Sequence, residues 1–237
     1  MYEFESRVRY SEIDVNCELK WSSLVNYLQD CSTFQSEELG IGVDYLLGRG
    51  LAWVVNYWQI DLIRMPKLTD KIIIGTIPYE LKGFLGLRNF YIKDAVTGEM
   101  LVKVNSVWTL IDLNKVRPVK ADENMMAGYV LGDKLDMEYT DRKISFEGDF
   151  RTEACIVVDK WMLDPNQHVN NQKYIEMALA YLPDGAKIRR LRIEYSKSCF
   201  LGDRLIPAIY EKEGSLGVAF TIEGEAKPAV KCSFDFD

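Results

Sequence analysis

Apolar positions follow two different spacings along the chain. Trp21, Leu24, Val25, Leu28 and Cys31 recur at three- and four-residue intervals, which predicts an amphipathic helix, and Gly40 supplies its stop. Around it lie runs with strand character. These are residues 3–9, the Val-, Ile-, Trp- and Tyr-rich Leu51–Leu62, 71–79 around Ile72-Ile73-Ile74, 86–94 with Leu87, Phe90 and Ile92, and 100–111 with Leu101, Val102, Val104, Val107 and Trp108. Thr97-Gly98 predicts a hairpin turn between the last two. The order then returns. A strand over 155–160 precedes a helix presenting Tyr174, Ile175, Met177, Ala178, Tyr181 and Leu182, closed by Pro183-Asp184-Gly185. Strands follow over 187–195, 203–210, 217–222 and 229–236. Residues 115–144, with Pro118, the charged Lys120-Ala121-Asp122-Glu123, Gly128 and Gly132, break the pattern and read as a linker. Domains over 1–125 and 145–237 are expected on either side.

The two halves also correspond residue by residue. Asp14-Val15-Asn16-Cys17-Glu18-Leu19 matches Asp164-Pro165-Asn166-Gln167-His168-Val169 at an offset of 150 (164 − 14), which lays His168 on Glu18. Beyond each helix, 60–70 lies on 193–203 at an offset of 133 (203 − 70), so the second connection is shorter by 17 residues (150 − 133). A strand, a long helix and a run of antiparallel strands wrapping it is the order of the hot-dog fold. The expected class is α+β: tandem hot-dog folds, each a long helix wrapped by an antiparallel sheet, forming a pseudo-dimer.

Composition narrows the function classes. The 237 residues, 48% of them apolar, suffice for two small cores. No window approaches the ~20 consecutive apolar residues that cross a bilayer, and Met1-Tyr2-Glu3-Phe4-Glu5 does not resemble an export signal, so a cytoplasmic protein without membrane insertion is expected. Cys17, Cys31, Cys155, Cys199 and Cys232 are scattered and odd in number, which predicts reduced thiols. With a single histidine and no Cys/His cluster, neither a metal nor another cofactor is expected. A net charge of −7 argues against nucleic acid. One local basic cluster remains, Lys187, Arg189, Arg190, Arg192 and Lys197, read either as a docking patch or as a strand edge blunted by charge.

The candidate chemistry sits in Leu163-Asp164-Pro165-Asn166-Gln167-His168-Val169-Asn170-Asn171-Gln172-Lys173-Tyr174, followed by Leu191-Arg192-Ile193-Glu194-Tyr195-Ser196-Lys197-Ser198-Cys199. Together with the early Arg9-Tyr10-Ser11-Glu12-Ile13-Asp14, these segments resemble the acyl-acyl carrier protein thioesterases, as a bacterial member. The resemblance implies hydrolysis of acyl-acyl carrier protein to free fatty acid, with Asp164, Asn166 and His168 in the catalytic set. It implies an acyl carrier protein, with its phosphopantetheine-linked chain, as partner. A homodimer is a further expectation. Plant members carry a glutamate before the cysteine, where this chain has Ser198 before Cys199, so the general base is open.

Thioester hydrolysis needs an activated nucleophile and stabilisation of an oxyanion. Histidine is the side chain whose ordinary pKa suits proton transfer near neutrality, and amides at a helix start, Val169 or Asn170, would hold the oxyanion. Two routes stand open. In one, His168 deprotonates Cys199, which attacks. In the other, preferred route, Asp164 and His168 activate water, or Asp164 attacks directly, and Cys199 is a wall residue. Asp and Asn before a helix are also ordinary caps and turn formers. The first half, with Glu18 in place of a histidine, is expected to be catalytically silent. Trp53, Trp58 and Phe84 read as core aromatics that could also line an acyl tunnel, and the basic cluster would meet the carrier protein. Competing readings are an acyl-CoA thioesterase of the same fold, a hydroxyacyl dehydratase, and a non-catalytic acyl-binding protein.

Overall fold

The first apolar stripe forms α1 (Trp21–Glu38), whose Leu24, Val25, Leu28 and Cys31 are buried. The structure, a computed structural model, describes residues 1–237, the side chains of Asn124 and Met126 excepted. The end of α1 is closed by its own backbone: Gly40 takes a φ of 69° and Ile41 N donates to Ser36 O at 3.0 Å, a turn that glycine adopts without strain. After the short α2 (Val43–Leu47) come β2 (Leu51–Leu62), β3 (Lys71–Lys82), β4 (Leu85–Asp94) and β5 (Met100–Asp112). With β1 (Tyr2–Arg7) they form an antiparallel sheet in the order β1-β3-β4-β5-β2. The helix lies against β3, with Cys31 Sγ 3.7 Å from Ile74 O, over a core that includes Ile72, Ile74, Phe90, Ile92 and Val104.

The chain divides into compact units Met1–Thr140 and Asp141–Asp237. Residues 115–140, expected within a linker, therefore belong to the first unit. β6 (Arg117–Pro118) pairs with the end of β5, and α3 (Glu123–Gly128) is capped by the Asp122 carboxylate, which accepts from Met125 N at 2.8 Å. Met125 is buried with Leu46 and Leu110. Further along, Gln59 Nε2 donates to Glu138 O at 2.7 Å and Tyr139 donates to Asn89 Oδ1 at 3.0 Å. Composition marked the segment as irregular, but irregular backbone still packs when buried side chains supply its hydrogen bonds.

The second unit repeats the topology. β7 (Arg151–Thr152) and β8 (Ile156–Val157) pair with one strand, and α4 (Asn171–Leu179) precedes β9 (Ile188–Tyr195), β10 (Arg204–Lys212), β11 (Ser215–Ile222) and β12 (Val230–Phe236). The order β7-β10-β11-β12-β9 matches that of the first unit, with β8 also on β10. Two expectations change. The helix is not long in both halves: α4 has 9 residues against 18 in α1, and α2 has no counterpart, which accounts for the shorter connection. The strand expected over 155–160 shrinks to the two residues of β8 and gives way to a 3-10 turn at Lys160–Met162, while the separate β7 pairs with β10 just before it. Pro207 on β10 stands between the residues that pair with Thr152 and Ile156, and without an N–H it cannot continue the ladder.

Candidate active site

His168 is placed by a loop that the protein builds twice. In the first unit, Asp14 Oδ1 accepts from Asn16 N at 2.8 Å and Glu18 N at 3.0 Å, while Asp14 N donates to Glu18 O at 2.8 Å. In the second, Asp164 Oδ1 accepts from Asn166 N at 2.8 Å and His168 N at 3.2 Å, while Asp164 N donates to His168 O at 2.8 Å. The residue before Glu18 or His168 is left-handed in both, Cys17 at φ 60° and Gln167 at φ 63°. Each loop is anchored to the later strand segment, by Leu19 N to Pro66 O at 2.8 Å and by Val169 N to Cys199 O at 2.9 Å. One oxygen of the Asp164 carboxylate thus helps fold its own loop, just as that of Asp14 does in a half without a histidine.

Two side chains separate the copies. Where Glu18 makes an ion pair with Lys67 at 3.5 Å, His168 meets Phe200 edge-on, ring centroids 4.8 Å apart. Phe200 was not singled out from sequence, although the two offsets find it, because Lys67 maps onto it as Glu18 maps onto His168. A carboxylate holds the strand turn in both: Asp70 Oδ2 accepts from Lys67 N at 2.9 Å and Asp203 Oδ2 from Phe200 N at 2.8 Å. His168 is half-buried and Asn166 exposed, so the imidazole is reachable from solvent.

The two amides expected to hold an oxyanion are already used. Val169 N donates to Cys199 O, and Asn170 N to Met162 O at 2.8 Å. Both belong to the loop scaffold, since Lys20 N makes the matching bond to Glu12 O in the first unit. Asn170 contributes its side chain instead, capping α4 by accepting from Gln172 N at 3.2 Å. Asn171 N, the first amide of the helix, has no acceptor among the described hydrogen bonds.

Cys199 is fully buried, and burial pushes its thiol above the usual range, an effect only partly offset by a hydrogen bond with Tyr174. A thiol kept protonated is a poor nucleophile. Ser198 is exposed. The basic cluster divides: Arg189 is the extra residue of a β-bulge in β9, where Arg190 pairs with Asp235 and Ile188 with Phe236, and it is exposed, whereas Arg190 and Arg192 share the face opposite the buried Leu191 and Ile193. Arg189 pairs with Asp237 at 2.8 Å, Lys197 with Glu225 at 2.7 Å, and Arg190 lies opposite Asp235 in register. Strand pairing thus supplies carboxylates that a count of cations cannot see.

The aromatic positions also separate. Trp58 is fully buried against Phe90 and Trp108, and Trp53 packs beside Leu46, Leu110 and Met125. Phe84, at the β3–β4 turn, is 43% exposed. Beside the motif, Lys173 Nζ sits 4.8 Å over the Trp161 ring. Among the described residues no cluster of three or more His, Cys, Asp or Glu could hold a metal, and no helix is long and apolar enough to cross a membrane.

Residues 1–129 match the family described as the acyl-ACP thioesterase N-terminal domain, and residues 151–236 its C-terminal domain. The chain is 30% identical over 209 residues to a chloroplastic acyl-[acyl-carrier-protein] hydrolase of Cuphea viscosissima, covering 81% of this chain and 50% of that protein. It is 25% identical over 209 residues to a chloroplastic palmitoyl-acyl carrier protein thioesterase of Gossypium hirsutum, again with 81% and 50% covered. The chain spans about half the length of these curated relatives. Among solved structures, it is similar to an acyl-ACP thioesterase from Bacteroides thetaiotaomicron, with a TM-score of 0.90, 24% identity and 99% and 97% of the two chains covered. A 12:0-ACP thioesterase from Umbellularia californica superposes with a TM-score of 0.84 at 19% identity, with 99% and 97% covered. These similarities establish the duplicated hot-dog fold.

Proposed function

Because this chain belongs to the acyl-ACP thioesterase family, we propose that it hydrolyses the thioester of acyl-acyl carrier protein to release a free fatty acid, with His168 as the proton-transfer group. The observation that carries the site is the pair of loops with matching hydrogen bonds, of which one holds Glu18 against Lys67 and the other His168 against Phe200. Water deprotonated by His168 attacks the thioester carbon. The developing oxyanion lies at the start of α4, where Asn171 N and the helix dipole face it and the exposed Asn166 amide assists. Protonated His168 then returns its proton to the leaving thiolate.

Asp164 is a positioning residue in this reading, because its Oδ1 already accepts two loop amides. Cys199 is a wall, supported by its burial and raised pKa. The carrier protein meets the β9 end of the second unit, where the cations are partly neutralised by their neighbours. Five free cysteines fit a reducing cytoplasm. The test is a ladder of acyl-carrier and acyl-CoA thioesters, with released acids identified by mass spectrometry. Turnover of carrier-bound substrates that His168→Ala abolishes supports the proposal; turnover of acyl-CoA alone moves it to the CoA class, and binding without turnover removes it.

A further inference from the structure

His168 reaches its place without the partner that an imidazole engaged in proton transfer ordinarily has. Such a histidine is usually oriented by a carboxylate or carbonyl bonded to its second ring nitrogen. Among the described residues, no hydrogen bond reaches either ring nitrogen of His168 and no carboxylate pairs with it. Its backbone N–H donates to Asp164 Oδ1, and its ring meets Phe200 with centroids 4.8 Å apart and planes at 85°, the edge-to-face arrangement that aromatic quadrupoles favour. Phe200 is set by backbone bonds on both sides. Its own N–H donates to Asp203 Oδ2 at 2.8 Å, and the carbonyl of Cys199 before it accepts from Val169 N at 2.9 Å, directly after His168. The same two bonds recur at Lys67 and Pro66 in the first unit, where the backbone carries a cation facing Glu18. One backbone geometry therefore supports either an ion pair or a ring pair. A lysine opposite His168 would repel the protonated imidazole, whereas a phenyl ring holds the imidazole and competes for neither nitrogen.

We propose that Phe200 is a positioning residue for the proton transfer, its ring holding the His168 imidazole in one rotamer while leaving the working nitrogen open to water and to the leaving thiolate. The inference rests on the hydrolysis reading, in which His168 takes a proton from water and returns it to the thiolate. An imidazole free to turn about its side-chain bonds spends only part of its time facing the thioester, so losing the ring lowers kcat rather than substrate binding. Phe200 is 50% exposed, and a lysine stands at the matching turn of the first unit, so the fold tolerates a change here.

The test compares Phe200→Leu, which keeps apolar bulk without a ring, with Phe200→Tyr, which keeps the ring. Phe200→Leu is expected to lower kcat on a carrier-bound acyl thioester about tenfold with KM within about twofold, and Phe200→Tyr to stay within about twofold of the parent in both. A second readout needs no activity. Because His168 is the sole histidine of the chain, its imidazole carbon-bound protons give one unambiguous pair of NMR signals. The nearby ring current displaces them in the parent and in Phe200→Tyr, and Phe200→Leu should return them toward the positions of an exposed histidine. Parental kcat in Phe200→Leu, equal loss in both variants, a change confined to KM, or signals that ignore the substitution overturns the proposal. A parent that hydrolyses no thioester removes the proposed activity instead, and the NMR signals alone then decide whether Phe200 holds the imidazole.

Discussion

Asp164 and Asp14 do the same work, and that equivalence separates positioning from chemistry. If Asp164 only folds the loop, Asp164→Asn, whose side-chain oxygen still accepts both amides, should keep turnover within about tenfold of the parent, whereas His168→Ala loses about a hundredfold to ten-thousandfold. Single-turnover assays of both variants check this, and equal collapse would make Asp164 a base or nucleophile. Cys199→Ala should retain near-parental turnover. Burial also holds the thiols protonated: Cys31 is pushed up to about 12, and Cys199 and Cys232 are raised as well. A raised folded-state pKa contributes stability that is complete below the unfolded thiol value of about 8.5 and is lost as pH rises toward the folded value. Denaturation midpoints should therefore fall between about pH 8.5 and 12, and Cys31→Ala should flatten that slope while lowering the curve. At the strand turns Thr69 holds a φ of 73° where its repeat partner is Gly202 at 86°. Thr69→Gly should stabilise the protein by about 1 kcal/mol, measured by thermal melting, because a β-branched residue is strained there.

At the scale of elements, α4 is short enough to depend on its cap. A nine-residue helix is marginal on its own propensity, and the Asn170 side chain satisfies one of its first amides. Asn170→Ala should cost about 0.5–2 kcal/mol in denaturant titrations, with Asn170→Asp much closer to the parent. Strand pairing, with its bulge at Arg189, decides the basic cluster. Since Arg189 already meets Asp237 and Arg190 stands across from Asp235, reversing both to glutamate should raise KM for carrier-bound substrate by about threefold and leave acyl-CoA unchanged, as expected for exposed, partly neutralised charges. A larger, carrier-specific effect would show that these two residues make direct contacts. The helix stripe, most strands and the Thr97-Gly98 turn were legible because their periods are local. The Pro207 break was not, since it depends on which strand faces the proline.

For the whole molecule, duplication with divergence predicts one active site per chain. Glu18→Ala should leave turnover within about twofold, as loss of an exposed ion pair usually does, and active-site titration should give one site per chain. Two sites would mean that the first loop also works. Sequence by itself determined the order of elements, the repeat, and the asymmetry that sets His168 against Glu18, because each is carried by spacing along the chain. Only the tertiary structure decided that Val169 and Asn170 amides are spent on Cys199 and Met162 carbonyls, that Asp164 is a loop former, and that Phe200 faces the imidazole. It also decided that residues 115–140 belong to the first unit and that Arg88 is buried beside Tyr129 and Thr76. The physical reason is common to all of these: whether a donor, a charge or a thiol is available depends on the acceptors and burial supplied by distant strands, and periodicity records only which face a residue takes.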